Sequence, residues 1–403
     1  MSRIKIKNFG PIRGSQDDCW LEVKRITVLI GTQGSGKSTV AKLISTFSWI
    51  EKALAKGDYE KSWFGKQGKF RSQYLSYHRL ENYLTDDSYI EYQGDAYTIV
   101  YSGNAIRIEE NRGEYILPQI MYVPAERNFL AYIKGVRELK LASGSLAEFN
   151  AEYEKAKNAM KGVSRLPINN VEVEYNKQYD TLYVLKGDHY KVRLTEASSG
   201  FQSLTPLFLV SDYLAKSVKS QMERRELMSS EEKERFQKGV SEIWQNQSLT
   251  DEQRRIALSA LSSRFNKGAF INIVEEPEQN LYPTSQWEML KTLLALNNGS
   301  PENKLVATTH SPYLINYLTL AIKAGTLLGA TDDQELTRAI EKIIPKESAI
   351  KAEDVAIYEL GEDGMIHPLE TYHGLPSDEN QLNANLDETN ALFARLLEIQ
   401  QRI

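Results

Sequence analysis

The nonapeptide GTQGSGKST constrains this chain more than any other stretch. It follows the apolar run ITVLI and precedes STVAKLISTFSWIEKAL, whose apolar spacing predicts a helix. Glycines let successive backbone N–H groups turn toward phosphate oxygens, and the following helix adds its positive N-terminal end. A glycine-rich turn with a stray lysine is the alternative, but the strand–loop–helix context favours phosphate binding. The predicted binding residues are Gly31, Thr32, Gln33, Gly34, Ser35, Gly36, Lys37, Ser38 and Thr39.

Two side chains of this loop have predicted roles of their own. Lys37 is expected to reach the β- and γ-phosphates of a nucleotide, and the Ser38 hydroxyl is expected to bind Mg²⁺. A strand that ends in a phosphate loop and leads into a helix is typical of a parallel or mixed α/β sheet. The sequence therefore predicts an α/β nucleotide-binding protein.

Composition limits the class of protein further. The 403 residues are 41% apolar and 26% charged, which is an ordinary globular composition. The formal net charge of −5 argues weakly against non-specific binding to a nucleic-acid backbone. The single cysteine, Cys19, excludes an internal disulfide, and no apolar run approaches the ~20 residues of a membrane span. We expect a cytoplasmic protein that does not enter a membrane.

A second apolar run, FINIV, ends in two adjacent acids, Glu275 and Glu276. Without the phosphate loop, a negatively charged surface turn would be the better interpretation. With it, acids at a strand end are expected to serve the metal and the attacking water. We predict that Glu275 holds Mg²⁺ through a water and that Glu276 orients or deprotonates the hydrolytic water. Most proteins that combine a phosphate loop with such an acidic strand have an aspartate at the position of Glu275.

Two further segments complete the predicted site. KLVATTHSPYLI is a third apolar strand, and His310 at its end could donate to a γ-phosphate oxygen or to the attacking water, although a structural histidine is the commoner case. ASSGFQSL begins a helix, where N–H groups and a hydroxyl can face an anion. An ordinary serine N-cap is the alternative there, and only the order of the motifs favours a functional role for Ser199, Gly200 and Gln202.

The remaining elements are predicted from local patterns. Residues 87–125 alternate Tyr, Ile and Val with Gly breaks, which predicts an antiparallel meander. Ser145 and Glu148 have the spacing of a capping box at a helix start, and so do Thr250 and Gln253. Charged helical segments fill 129–163 and 207–266.

In this order, the phosphate loop, Ser-Ser-Gly-x-Gln, the two-acid strand and the histidine resemble the ABC-type ATPase heads of SMC, Rad50 and RecF proteins. EEPEQNLYP, TTHSPYLI and the opening IKIKNFGPI are most similar to the OLD (overcoming lysogenization defect) group. The resemblance implies an α/β P-loop NTPase with an ABC-type ATPase head: a mixed central sheet, an antiparallel β subdomain and helical insertions. It implies one domain over 1–403, with insertions at 129–163 and 207–266 and a C-terminal part, 311–403, that completes the fold.

The resemblance also implies how the site works. Two subunits would form a head-to-head homodimer around two ATP molecules with Mg²⁺, and a higher homo-oligomer is left open. The phosphate loop, Glu275, Glu276 and His310 would act in cis, with Lys37, Glu276 and His310 as the catalytic set.

Other residues would act between subunits. Ser199, Gly200 and Gln202 would contact the γ-phosphate bound to the partner, and Asn280 and Leu281 fall where the family has an inter-subunit loop. The family's glutamine that senses Mg²⁺ and γ-phosphate lies near QIMYVPAERNFL, where Gln119 and the pair Glu126–Arg127 are alternatives.

OLD nucleases carry a Toprim domain, whose chemistry needs a glutamate and an Asp-x-Asp motif to hold metals. The 93 residues after His310 contain no Asp-x-Asp, so we expect no DNA cleavage by this chain. Three hypotheses follow: a regulatory ATPase that holds and releases a separate effector such as a Toprim nuclease in anti-phage defence, a RecF- or Rad50-like DNA-clamping repair ATPase, and a nucleotide-dependent scaffold. The acidic balance and the OLD-like motifs favour the first.

Overall fold

The structure is a computed structural model, and it describes residues 2–66, 68–132, 143–187, 189–223, 230–246, 248–262 and 268–401. Its strands are β1 (Arg3–Phe9), β2 (Gly14–Ser15), β3 (Leu21–Glu22), β4 (Ile26–Gly31), β5 (Leu84–Gln93), β6 (Tyr97–Ser102), β7 (Ala105–Glu110), β8 (Pro118–Val123), β9 (Val163–Arg165), β10 (Glu172–Asn176), β11 (Thr181–Lys186), β12 (Tyr190–Arg193), β13 (Ala269–Glu275), β14 (Lys304–Thr308), β15 (Val355–Leu360), β16 (Met365–Pro368), β17 (Thr371–Tyr372) and β18 (Leu375–Pro376). Its helices are α1 (Lys37–Ala55), α2 (Lys61–Phe64), α3 (Gly144–Ala159), α4 (Ser199–Glu223), α5 (Ser230–Gln245), α6 (Asp251–Ser262), α7 (Pro283–Asn298), α8 (Pro312–Ala330), α9 (Gln334–Glu341) and α10 (Gln381–Gln400).

The central sheet has seven strands in the order β2-β16-β15-β4-β14-β13-β8. The five strands from β15 to β8 are parallel, and β16 runs antiparallel to β15. Every residue of β4, β8 and β13 is buried, as expected for parallel strands covered on both faces. The predicted α/β class with a mixed central sheet is confirmed, and the phosphate loop follows a central strand.

Hydrophobic cores lie on both faces of this sheet because side chains alternate along each strand. On β4, Ile26, Val28 and Ile30 enter one core while Leu29 enters the other. Helices α4 and α7 contribute to the first core and α1 to the second. Glu275 follows Ile271 and Ile273 at alternate positions of β13, so it emerges on the face that α1 covers.

The predicted antiparallel subdomain is present as the sheet β3-β1-β5-β6-β7. The predicted meander over 87–125 is correct for β5, β6 and β7 but wrong at its end. Residues 118–123 form β8, which joins the central sheet parallel to β13. In the structure every residue of PQIMYV is buried, as expected of a parallel strand that is covered on both faces.

The segments predicted as helical insertions contain α3, most of α4, α5 and α6 within the described residues. The capping box predicted at Ser145 is wrong: Ser143 is the N-cap of α3, and its hydroxyl accepts from the N–H of Leu146. The box at the start of α6 is confirmed, because Thr250 and Gln253 exchange both backbone-to-side-chain bonds.

The C-terminal part, 311–403, supplies β15 directly beside β4, and β16 next to it. The single-domain division over 1–403 stays a prediction. None of the helices in the described ranges combines the length and the apolar content needed to cross a membrane.

The phosphate loop lies against β15 at one glycine, which gives a matched pair of variants. A Cβ on Gly31, at φ 142°, would lie 2.4 Å from the carbonyl oxygen of Leu360, whereas a Cβ on Gly34, at φ 83°, would meet nothing within 4 Å. Gly34→Ala should cost ~1–2 kcal/mol for its positive φ. Gly31→Ala should cost ~1–3 kcal/mol more, because backbone must move. Urea unfolding measures both, and equal losses would contradict the predicted clash.

Candidate active site at the carboxyl edge of the parallel sheet

Four neighbouring parallel strands end at the same edge of the sheet. The phosphate loop follows β4, Thr309 and His310 follow β14, Glu276 follows β13, and the segment Pro124–Arg127 follows β8. Since parallel strands present all their carboxyl ends on one side, residues far apart in sequence meet there. This edge is the candidate site.

The loop has the backbone that phosphate binding needs. Gly31, Gly34 and Gly36 all have positive φ, at 142°, 83° and 103°. Gly36 is the N-cap of α1 and lies tightly against Pro11 and Ile12, so a larger residue would be crowded there. The hydroxyl of Ser35 is buried without a hydrogen-bond partner. A phosphate oxygen is the acceptor that such a loop provides for.

Lys37 is buried and folds over the loop. Its Nζ donates to the carbonyl oxygens of Gly31 at 2.9 Å and Thr32 at 2.7 Å. Burial lowers the pKa of Lys37 to about 8, while Glu276 and Glu278 oppose that shift. A lysine held this way gains most from an anionic ligand, because the ligand restores the favourable charge interactions that burial removed.

His310 lies between Lys37 and Glu276. Its Nδ1 is 3.4 Å from the Nζ of Lys37, and its Nε2 is 3.5 Å from Oε1 of Glu276. An ammonium group only donates, so Nδ1 is the acceptor and Nε2 carries the proton that faces the carboxylate. The hydrogen bond from His310 lowers the pKa of Glu276. Glu276 is therefore ionised at neutral pH and can accept a hydrogen bond from water.

The backbone at Glu276 is strained. Its φ is 43°, in the left-handed region that a non-glycine residue rarely occupies. The conformation is held from both sides: its N–H donates to the carbonyl oxygen of Thr308 at 3.0 Å, and its carbonyl oxygen accepts from Arg127 at 2.6 Å. Strain of this kind persists where the surroundings enforce it, and such places cluster at functional sites.

Glu275 points into the protein, and one of its two carboxylate oxygens makes no hydrogen bond of normal geometry. It is buried, and its Oε2 accepts from the N–H of Ala125 at 3.0 Å. Its Oε1 is buried and makes no hydrogen bond of normal geometry, although the hydroxyl of Tyr122 is close enough to interact with the carboxylate. A buried carboxylate oxygen that is so weakly satisfied is the feature expected of a ligand held ready for a cation or its water.

Glu275 and Ser38 fit the predicted Mg²⁺ site in kind, since both offer oxygen. Within the described residues, no three His, Cys, Asp or Glu side chains converge to hold a metal. Mg²⁺ is commonly bound by one or two protein oxygens together with substrate phosphates and waters. The donor set therefore suits an ion that arrives with a nucleotide.

Arg127 is the residue that the sequence left undecided. It is fully buried, and its guanidinium donates to the carbonyl oxygens of Glu275 and Glu276, at 2.6 Å each, and to those of Ser203 and Pro124, at 3.2 Å each. It ties the acidic strand end to α4. Gln119, the alternative, is buried at the second position of β8, away from the carboxyl edge. Of the two, only the Arg127 segment reaches the site.

Glu278 was not assigned by sequence reasoning, although the pattern Glu-Glu-Pro-Glu contains it. Its Oε1 accepts from the hydroxyl of Thr309 at 2.7 Å and from the N–H of His310 at 2.8 Å. Burial raises its pKa, and these bonds oppose the shift. Glu278 thus positions the histidine from the turn that follows the acidic strand.

The Ser-Ser-Gly-x-Gln segment begins α4 at the other side of that turn. Ser199 is exposed, and a Cβ on Gly200 would lie 2.8 Å from the carbonyl oxygen of Asn280. The side chain of Gln202 is buried and bonds within the chain, to the carbonyl oxygens of Thr195 and Ala197 and to the hydroxyl of Tyr132. In this arrangement Gln202 holds the start of the helix, and its contact with a partner's nucleotide stays a prediction.

No family model matches the chain, and no curated protein matches it either. Solved structures do match. The SMC head domain from Thermotoga maritima is 13% identical, over 92% of this chain and 98% of that one, with a TM-score of 0.35. A dimeric bacterial ABC transporter cassette is 12% identical, over 92% and 100%, with a TM-score of 0.24. An SMC head bound to the C-terminal winged-helix domain of ScpA is 10% identical, over 91% and 96%, with a TM-score of 0.37. These matches carry no argument about the site, because their TM-scores are below 0.5. The α/β fold and the site are described by the strand order and the loop geometry of this chain.

The lowered pKa of Lys37 gives a pH prediction. The pKa of Lys37 is about 8, so the ammonium form is half populated near pH 8 and nearly complete below about pH 7. Nucleotide affinity should be nearly constant below about pH 7 and should fall as the lysine deprotonates. The expected fall is roughly tenfold per pH unit above 8. Calorimetric titration with ADP between pH 6.5 and 9.5 measures it. An affinity that stays flat to pH 9.5 would show that Lys37 keeps its ordinary pKa.

Arg127→Lys tests the positioning of the acids. Lysine keeps the charge but cannot span two carbonyl oxygens with one planar fork. Turnover of ATP should fall by up to ~100-fold through misplacement of Glu276, with KM changed little because Arg127 makes no contact with the phosphate loop. Arg193→Lys, an exposed arginine on β12, is the matched control. A rise in KM with unchanged kcat would contradict the positioning role.

Proposed function

We propose that this chain is an ABC-type ATPase that binds ATP with Mg²⁺ and hydrolyses it to ADP and phosphate. The observation that carries the proposal is the succession Lys37–His310–Glu276 across the ends of three adjacent parallel strands, at 3.4 and 3.5 Å. A cation for the phosphates, a donor beside them and an ionised acid for water are the parts that phosphoryl transfer to water requires.

Each residue has one role in this reaction. Lys37 and the loop N–H groups hold the β- and γ-phosphates, and Mg²⁺, when bound, neutralises charge that develops on the phosphate oxygens. Glu276 accepts a hydrogen bond from water and orients its oxygen toward the γ-phosphorus. The Nε2 proton of His310, which faces Glu276 in the structure, turns to a γ-phosphate oxygen when the nucleotide binds. As the water oxygen bonds to phosphorus, the bond to the leaving oxygen of ADP breaks, and the proton of the water leaves through Glu276 or the phosphate.

The proposal includes a homodimer that sandwiches two ATP molecules. Support comes from the start of α4, where Ser199 is exposed and the backbone N–H groups of a 25-residue helix begin. The N-terminal end of a helix favours an anion, and in the proposed dimer that anion is a phosphate of the partner subunit's nucleotide. We assign Ser199, Gly200 and Gln202 to the γ-phosphate of the partner subunit's nucleotide.

Within this class we propose a regulatory role in anti-phage defence, in which the ATPase holds a separate effector, such as a Toprim nuclease, and releases it on a trigger. This role is supported by the resemblance of the motifs to those of the OLD group, and we suggest AriA, the stand-alone ATPase of the PARIS system, as a protein of this kind. The RecF- or Rad50-like alternative predicts turnover that DNA stimulates with a steep salt dependence.

Two substitutions test the ATPase. Lys37→Ala should abolish nucleotide binding, because the phosphates lose the buried lysine of the phosphate loop. Glu276→Gln should bind ATP but turn it over at least ~100-fold more slowly, which accumulates an ATP-bound dimer. Light scattering with ATP and a turnover assay measure both effects. Glu288→Gln, on the surface of α7, is the matched control, and wild-type turnover in Glu276→Gln would sink the catalytic assignment.

The effector role has its own test. The chain is expressed with its genomic neighbours, purified through a tag on this chain, and the intact complex is weighed by native mass spectrometry. The proposal predicts a complex that contains an effector chain. It also predicts that Glu276→Gln, which slows ATP hydrolysis, changes the fraction of effector that stays bound. Purification of this chain with DNA alone would favour the repair alternative.

A further inference from the structure

A cavity of about 620 Å³ lies where α6 and the end of α5 meet the N-terminal part of the chain. It shares no residue with the phosphate loop. Its wall combines polar and charged side chains with an aromatic group formed by Tyr59, Trp63, Tyr74, Tyr77 and Trp244. The volume is in the range of pockets that hold small organic ligands.

Arg255 enters this cavity from α6 as a buried charge. The residue is 6% exposed. Its guanidinium carbon is 3.6 Å from the ring centre of Tyr77 and 4.4 Å from that of Trp49, so the group is held between aromatic faces. Its Nε and Nη1 are buried and have no hydrogen-bond partner. Within the part of the chain that the structure describes, no carboxylate accepts from these two N–H groups.

Neither of the acids that line the cavity accepts from these N–H groups of Arg255. Asp251 pairs with Arg254 at 2.8 Å and also accepts from the side chain of Gln73. Glu81 lines the cavity with a buried Oε2 that no donor reaches. Among the described residues, the cavity thus holds two buried nitrogens of Arg255 without an acceptor and one buried oxygen of Glu81 without a donor.

Unmatched groups of this kind are costly, and that cost indicates a ligand. A buried charge without a partner destabilises a protein unless something pairs with it, and aromatic faces offset only part of the loss. Guanidinium groups pair best with phosphate or carboxylate, through two parallel N–H donors. Aromatic walls favour a planar ring, and a lone carboxylate oxygen accepts from ring N–H groups.

We propose that this cavity binds a nucleoside monophosphate, with the phosphate on Arg255, the base among the aromatic rings and a base N–H on Glu81. The site is separate from the phosphate loop, and the inference stands whether or not the proposed ATPase function holds. It assigns a ligand to the contact between the 207–266 segment and the N-terminal part.

The first experiment is isothermal calorimetry of the full chain with AMP, GMP, CMP and UMP, and with the matching nucleosides. At least one monophosphate should bind with a Kd below about 1 mM. Its nucleoside should bind at least tenfold more weakly, because the contact with Arg255 is lost. Quenching of tryptophan fluorescence provides a second readout, since Trp63 and Trp244 line the cavity. If none of the four monophosphates binds, the proposal is overturned.

Variants then locate the binding. Arg255→Met keeps a side chain that can pack on the rings but removes the charge, so affinity should fall at least tenfold while the Tm does not fall. Ser72→Phe narrows the cavity from an exposed position and should weaken binding without touching Arg255. Lys37→Ala is the control for the phosphate loop and should leave the Kd unchanged. Binding that survives Arg255→Met and Ser72→Phe, or that Lys37→Ala abolishes, contradicts the proposal.

Discussion

The parallel pairing of β4, β14, β13 and β8 is the constraint on which the site depends. Because all four strands run the same way, the loops that follow them meet at one edge, although they come from residues 31, 124, 276 and 310. A strand reversed at any of these places would send its loop to the opposite edge. The two-sided cores hold this arrangement, since each strand is buried on both faces.

The cationic side chains at that edge donate mainly to backbone carbonyl oxygens rather than to carboxylates. Arg127 is fully buried yet donates to four carbonyl oxygens, and Lys37 donates to two. These cations do not neutralise the neighbouring acids. Glu275 keeps a buried oxygen without a hydrogen bond of normal geometry, and the carboxylate of Glu276 lies 3.5 Å from His310. Such an arrangement suits phosphates and a metal better than it suits an unliganded protein.

Sequence patterns predicted the elements whose signal is local. The phosphate loop is recognisable because its glycines, lysine and flanking apolar runs are contiguous. Glu275, Glu276 and His310 are recognisable because they stand at the ends of predominantly apolar strands. The same patterns could not show that residues 118–123 leave the meander, because a short apolar run reads alike in either sheet. They also could not show Arg127, whose partners are carbonyl oxygens distant in sequence, or Glu278, whose role depends on the turn that brings it under His310. The cap of α3 fell two residues from its predicted place, within the usual uncertainty of helix ends.

The central claim is that ATP is hydrolysed at a site completed by two copies of the chain. It is tested most directly by mixing two inactive variants, Lys37→Ala, which spoils the site in cis, and Ser199→Arg, which blocks the contact in trans. In a mixed dimer one of the two sites has both parts intact, so mixing should restore up to about a quarter of the wild-type turnover. If mixed dimers form, as mass measurement can show, and turnover stays at the level of the separate variants, the two-subunit site is contradicted.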